Sequence, residues 1–175
     1  NLELLIVLFN GNLVFPLKQS SFALFLEAFN KRTKGVIIPF NPNLVIPTLN
    51  DHWLAGITDA EGCFTCSLLG NSNAYRFRFL LSQLGLINQP VLVHIGNLLL
   101  GVVRPHSRPN VFELTVNGVN NMTKVLEYFD HHELRTKKAK SYLIWKEVRV
   151  SLIKGEHLSS DSRRLLKIKA KTINK

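Results

Sequence analysis

Residues Trp53–Phe64 read WLAGITDAEGCF. The run is helix-like, with Asn50 or Asp51 as its N-cap and Gly62 as its stop, and the residues after Gly62 read as a strand. Two small residues stand together, Ala55 and Gly56, and two acids follow near the end, Asp59 and Glu61. A helix that only fills a core needs neither the small pair nor the acids.

Outward from this segment, helical and strand patterns alternate. CFTCSLL (63–69) and YRFRFLLSQ (75–83) alternate like a hairpin across a Gly/Asn/Ser turn. NQPVLVHIGNLLLG (88–101) reads as a helix opened by Asn88, with Pro90 in its first turn. VVRPHS (102–107) and NVFELTVNG (110–118) form a second hairpin, and two helices follow in NNMTKVLEYFDHH and TKKAKSYLIWKEVRVSLIK. Tyr142, Trp145 and Val148 recur at helical spacing as core, leaving the lysines of that helix solvated. A last, strongly basic helix lies in SSDSRRLLKIKAKTINK. Residues 50–154 therefore read αββαββαα: an α+β fold with an antiparallel sheet covered by helices on one face.

Alternation in YRFRF puts Phe77 and Phe79 on one sheet face and Arg76 and Arg78 on the other. The phenylalanines belong under the helices, so the arginines are left on the open face beside Thr65 and Ser67. The chain carries a net charge of +10 and a pI near 9.9, which favours a polyanionic partner. A two-stranded ribbon fits the DNA major groove, where arginine pairs with guanine edges. The two cysteines, Cys63 and Cys66, form a C-x-x-C with no second pair to complete a structural zinc site. On a strand they point to opposite faces, so both read as small strand residues in a reducing compartment.

An acid at the end of the Trp53 helix, close to a phosphate backbone, repels DNA unless a divalent cation bridges the two. Mg²⁺ takes one or two carboxylates with phosphate oxygens and water, and it activates water for phosphodiester hydrolysis. Glu61 is the expected metal ligand; Asp59 is expected to make local hydrogen bonds at the helix end. Leu54, Ala55 and Gly56 are the expected contact with a second, equivalent helix.

These residues resemble a known signature. LAGITDAEG (54–62) is similar to the LAGLIDADG motif, and with YRFRFLLSQ and LRTKKAKSYLIWKEV downstream the resemblance to the LAGLIDADG homing endonucleases covers residues 49 to about 170. The resemblance implies an αββαββα repeat and Mg²⁺-dependent cleavage of double-stranded DNA. It carries the metal and catalytic role to Glu61, water ordering to Gln83 and a phosphate-adjacent lysine to Lys137, with Lys138 second. DNA contacts fall on Thr65, Ser67, Arg76, Arg78, Arg104, Glu113 and Lys138. It also implies an organellar, mitochondrial intron origin.

Family enzymes use two motifs, and this chain has one. FLEAFN (25–30) echoes VLEYFD (125–130), and LLIVLFNGNLVF (4–15) echoes LVHIGNLLLGVV (92–103), each running from a helix through a Gly/Asn break into a strand. Residues 1–31 are therefore expected to be the tail of a first repeat, 32–49 a linker and 50–175 the repeat with its basic C-terminal helices. The expected partner is a second motif or another chain covering the motif helix. The N-terminal apolar run is too short for a membrane span and lacks a signal peptide's basic region. The absent initiator methionine is what a processed, truncated or fragmentary chain would have. LGLINQP after Gln83 has no basic residue, which thins the charge around the expected site. The competing reading is an inactive fold holding structured RNA, as an intron maturase or a mitochondrial ribosome or ribonucleoprotein component, with Glu61 a relic. A nuclease centred on His131 and His132 is disfavoured, because adjacent histidines lack the spacing required.

Overall fold

The computed structural model describes residues 2–33, 35–43, 45–70 and 72–175. Asn1, Lys34, Leu44 and Asn71, which fall in the expected first-repeat tail, linker and hairpin turn, lie outside the described residues. The order is α1 (Leu2–Phe9), α2 (Pro16–Arg32), α3 (Trp53–Glu61), β1 (Gly62–Leu68), β2 (Tyr75–Leu84), α4 (Gln89–Leu99), β3 (Val102–Pro105), β4 (Val111–Asn117), α5 (Thr123–His131), α6 (Lys137–Ile153) and α7 (Ser160–Ala170). From α3 onward this is the expected αββαββαα order. No helix among the described residues is long and apolar enough to cross a membrane.

The sheet is antiparallel throughout, in the order β1-β2-β4-β3. Its period of two divides it cleanly. Phe64, Phe77, Phe79, Leu81, Leu114 and Val116 point toward the helices and are buried. Trp145 of α6 is the keystone: its ring stacks on Phe77 at 4.2 Å, and its indole N–H donates to the carbonyl of Thr65 at 3.1 Å. A buried indole needs such a partner. α3 passes into β1 with no intervening loop. Gly62 permits this, because a Cβ there would lie 2.6 Å from Thr58 Cγ2 and 2.9 Å from Thr58 Cα.

One expectation for the N-terminal region requires correction. After the break at Gly11 (φ +86°) no strand follows; Pro16 opens α2 instead. Proline suits the first turn of a helix. The echoed segments 25–30 and 125–130 are helical, in α2 and α5, but by length the match is a different one: α1 and α2 have 8 and 17 residues, and α5 and α6 have 9 and 17. Asn88 stands at the N-cap of α4 with Pro90 in the first turn, as expected, but its side chain bonds elsewhere than to the helix. It is buried, its Oδ1 accepts the backbone N–H of Leu17 at 3.1 Å, and its Nδ2 donates to Leu84 O at 2.9 Å. This ties the start of α2 to the end of β2. Ile6, Phe22 and Leu26 make a small separate core between α1 and α2.

Candidate active site and nucleic-acid interface

α3 presents two faces, and the core takes the one expected to pair. Leu54 and Ala55 are 1% and 3% exposed, packed in this chain's own core, while Thr58 is buried on the same side. The Ala55 N–H donates to the Tyr128 hydroxyl at 3.0 Å, and that hydroxyl donates to Asp51 O at 2.7 Å. At 3.6 residues per turn, the opposite stripe is Trp53, Gly56, Ile57 and Ala60. Gly56 and Ala60 are exposed, and a Cβ on Gly56 would meet nothing within 4 Å. Of the three residues expected to pair with a second helix, only Gly56 is open to one.

At the C-terminal end of α3 the two acids separate in role. Asp59 accepts the Arg135 N–H (2.7 Å), the Thr136 N–H (3.2 Å) and the Thr136 hydroxyl (2.6 Å). Burial pushes its carboxyl up, but these bonds and nearby Lys138 outweigh that and hold it below its ordinary value. Asp59 therefore positions the approach to α6, with local bonding of the expected kind. Glu61 is exposed and accepts a hydrogen bond from the Gln83 side-chain amide, which is only 4% exposed. The folding of β2 against α3 thus brings the expected acid and amide into contact.

Lys18 of α2, at 4.0 Å from Glu61, was not expected there. It lies next to Leu17, whose amide Asn88 holds. Lys138 donates to the Gly62 carbonyl at 2.5 Å, so it faces the motif end; Lys137, expected as the closer of the two, is exposed and its side chain makes no hydrogen bond or ion pair among the described residues. The 100° step between successive helical residues turns Lys137 away as it turns Lys138 inward.

The open face begins where Glu61 ends. Thr65 lies opposite Arg78, Ser67 opposite Arg76, and Arg104 opposite Glu113. A groove of about 530 Å³ is lined by Arg76, Arg78, Arg104, Val102, Thr115 and Asn117, among others. Glu113 accepts from the Ser82 hydroxyl at 3.2 Å. Among the described residues no ion pair involves Arg76, Arg78 or Arg104. Arg78 Nε and Thr65 Oγ1 are buried without a partner. Buried polar atoms without partners are uncommon in folded proteins, and these two adjoin the arginine groove. Thr115, Asn117 and Ser82 were missed in the sequence, although the alternation that placed Glu113 also reaches Thr115 and Asn117. Of the cysteines, Cys66 packs against the core and burial pushes its thiol up to about 12; burial also raises Cys63. Neither is a poised thiolate.

A model of the LAGLIDADG endonucleases matches residues 54–149, from the motif helix into α6. The chain belongs to this family. Among relatives of the LAGLIDADG chain, a probable intron-encoded endonuclease of Neurospora crassa is 33% identical over 100% of this chain and 32% of its own length. An uncharacterized cox1 intron-2 protein of Schizosaccharomyces pombe is 27% identical over 75% of this chain and 39% of its own. The chain thus spans about a third of the length of these relatives. The homing endonuclease I-TnaI superimposes with a TM-score of 0.66 at 25% identity, covering 75% of this chain and 90% of that one. I-LtrWI, a LAGLIDADG homing endonuclease solved bound to target DNA, superimposes at 0.67 with 22% identity, over 85% of this chain and 52% of that one.

Proposed function

We propose that this chain is one half of a LAGLIDADG homing endonuclease. It binds duplex DNA on its open sheet face and, joined to a second motif helix, cuts that DNA with Mg²⁺. The convergence of Glu61, Gln83 and Lys18 at the end of α3, one residue before the arginine-bearing sheet begins, carries this reading.

Each residue has a role that its chemistry suits. Arg76, Arg78 and Arg104 meet base edges and phosphates, with Thr65, Ser67 and Glu113 as neutral and acceptor groups between them. Gln83 holds the Glu61 carboxylate in one orientation. Lys18 and Lys138 set positive charge around the phosphate that reaches the motif end, replacing the charge missing from LGLINQP. One carboxylate and an amide oxygen are hard donors that suit Mg²⁺. Among the described residues no three or more His, Cys, Asp or Glu gather to hold a metal; Glu61 is this chain's contribution, and the partner motif supplies the second acid. Mg²⁺ bound between Glu61 and the partner motif's acid would polarise the phosphate and acidify water.

Gly56 and Ala60 are the surface on which the second motif helix packs. Residues 1–31 serve as the tail of a first repeat and 32–49 as its linker. The matched lengths of α1–α2 and α5–α6 support this, as do the exposed Leu5, Phe9 and Phe25, which lack a sheet to cover. A mitochondrial origin is supported by relatives named for introns of cox1 and ND4.

The test starts from nucleic acid recovered with the purified protein. Recovered duplex is sequenced and incubated with Mg²⁺ and wild type or Glu61→Gln, with a chain carrying the first motif supplied. Wild-type nicking, with binding but no nicking by the variant, is expected. Recovery of structured RNA, held equally by both proteins, would replace this reading with an RNA-binding one.

A further inference from the structure

Arg163, on the second turn of α7, makes no ion pair among the described residues. The two N–H bonds of its Nη2 are shared among Leu69 O (2.6 Å), Ser72 O (2.7 Å) and Ala74 O (3.1 Å). Its Nη1 donates to His157 O (3.2 Å) and Asn73 O (3.4 Å). Four of these five carbonyls belong to the link between β1 and β2, and the fifth is in the turn that leads into α7. A guanidinium is a rigid planar fork of donors, so it fixes the relative positions of the carbonyls it gathers; an ammonium, a point charge with three rotatable donors, cannot. The ladder between β1 and β2 ends at Leu68 and Tyr75. Beyond it the link's own bonds are Leu69 N–H to Ala74 O at 3.0 Å and Ala74 N–H to Ser72 Oγ at 3.3 Å, so the outward carbonyls of Ser72 and Asn73 are held from α7, through Arg163.

That link lies at the end of the sheet, next to the outer residues of the open face. It begins beyond Ser67 and ends before Arg76, which are opposite one another at the outer end of the sheet, and Ser72 and Asn73 are exposed. Hydroxyl and amide groups on such a link suit base edges and phosphates, but only if the backbone carrying them is already in place when DNA arrives. Ordering it on binding would subtract from affinity and blur discrimination.

We propose that Arg163 is a positioning residue for DNA recognition: from the helix side of the molecule it fixes the β1–β2 link so that Ser72, Asn73 and Arg76 read the outer end of the target. It does so without touching DNA. This rests on the DNA-binding reading above and adds a residue class to it, since α7 lies outside the matched family region and on the far side of the sheet.

The test uses the full chain as wild type, Arg163→Ala, Arg163→Lys and the double variant Ser72→Ala/Asn73→Ala. Each selects from a randomised duplex library, and base preference is read position by position. The double variant marks the positions that the link reads. Both Arg163 variants are expected to lose preference at those positions alone, and to bind the preferred duplex about 5- to 10-fold more weakly, the scale of one mismatched base pair. Amide exchange in Ser72–Ala74 should quicken in the free variants. Lysine should not rescue, because it cannot span the carbonyls. Unchanged profiles in both variants, or an even loss at all positions together with a lowered melting temperature, would overturn the proposal and leave DNA binding intact. A wild type that enriches no duplex sequence would overturn the DNA reading and, with it, the role assigned to Arg163.

Discussion

Replacing Asn88 by alanine tests whether the N-terminal helices are part of the site or merely adjacent to it. Asn88 is 1% exposed and joins Leu17, 71 residues away in sequence, to Leu84, through Leu17 N and Leu84 O. Alanine removes both hydrogen bonds and leaves a donor and an acceptor in a half-buried setting. At about 1 kcal/mol for each lost bond, the expected destabilisation is about 2 kcal/mol. For a chain of this size that is a fall in melting temperature of roughly 4–8 °C. Calorimetry or circular dichroism gives the melting shift, and amide exchange at Leu17 gives its location. The functional consequence runs through Lys18, which is next to Leu17 and 4.0 Å from Glu61. As an ion pair, with both side chains substantially exposed, that contact is worth less than about 1 kcal/mol. Its value is in charge near phosphate, so Asn88→Ala should slow nicking of bound duplex in the same way as Lys18→Met. In a double-mutant cycle the two losses should not add. A melting temperature within about 1 °C of wild type would refute the energetic argument. Additive losses in nicking would refute the route through Lys18.

Three further outcomes follow from the geometry. Gly62→Ala places a methyl group 2.6 Å from Thr58 Cγ2 and 2.9 Å from its Cα, and backbone cannot yield; the expected cost is about 1–3 kcal/mol in chemical denaturation. Asp59→Asn should cost about 1 kcal/mol at neutral pH by weakening the bonds to Arg135 and Thr136. Because the folded Asp59 has a lowered pKa, its contribution is complete above the ordinary value of 3.8 and is lost as pH falls through the folded one, so the gap between wild type and variant should close in acid melts. Changing Arg76, Arg78 and Arg104 together to glutamine should reduce the slope of log affinity against log salt by about 2–3 if all three meet phosphates, measured by fluorescence titration.

The motif, the hairpins and the buried phenylalanine face were legible because each rests on local periodicity. Phe77 and Phe79 alternate with Arg76 and Arg78, and a one-residue error would have inverted every assignment; the register pairs Thr65 with Arg78 and Ser67 with Arg76 as the alternation requires. Leu54, Ala55 and Gly56 do not form one pairing surface, because three consecutive helical residues span about 200°; the core takes 54, 55 and 58, and Gly56 is left outside. The strand expected after Gly11 failed for a different reason. Its apolar residues fit a strand or a helix equally, and Pro16, which opens α2, decides. Lys18, Asn88 and Arg163 were not legible at all. Each acts on a residue 43 to 94 positions away, and nothing in the local sequence of a lysine, an asparagine or an arginine names so distant a partner.

The two lysines near the motif end extend the argument for a paired assembly. Lys138 stands in the first turn of the 17-residue helix that follows the short helix α5, and Lys18 stands in the first turn of the 17-residue helix that follows the short helix α1. Lys138 reaches Gly62, within its own repeat. Lys18 reaches Glu61, which belongs to the other repeat if residues 1–31 are the tail of the first. A lysine that serves its own motif in one half and the neighbouring motif in the other requires the two motif ends to lie side by side. The stripe of Gly56 and Ala60 is suited to that arrangement, since small residues let two helices approach until their C-terminal acids are neighbours. On this reasoning Gly56→Leu should leave the melting temperature of this chain nearly unchanged, because nothing lies within 4 Å of the site. It should nonetheless abolish nicking when the first motif is supplied. A large loss of stability in the isolated chain would mean that Gly56 faces this chain's own core, and normal nicking would mean that the helices do not meet there.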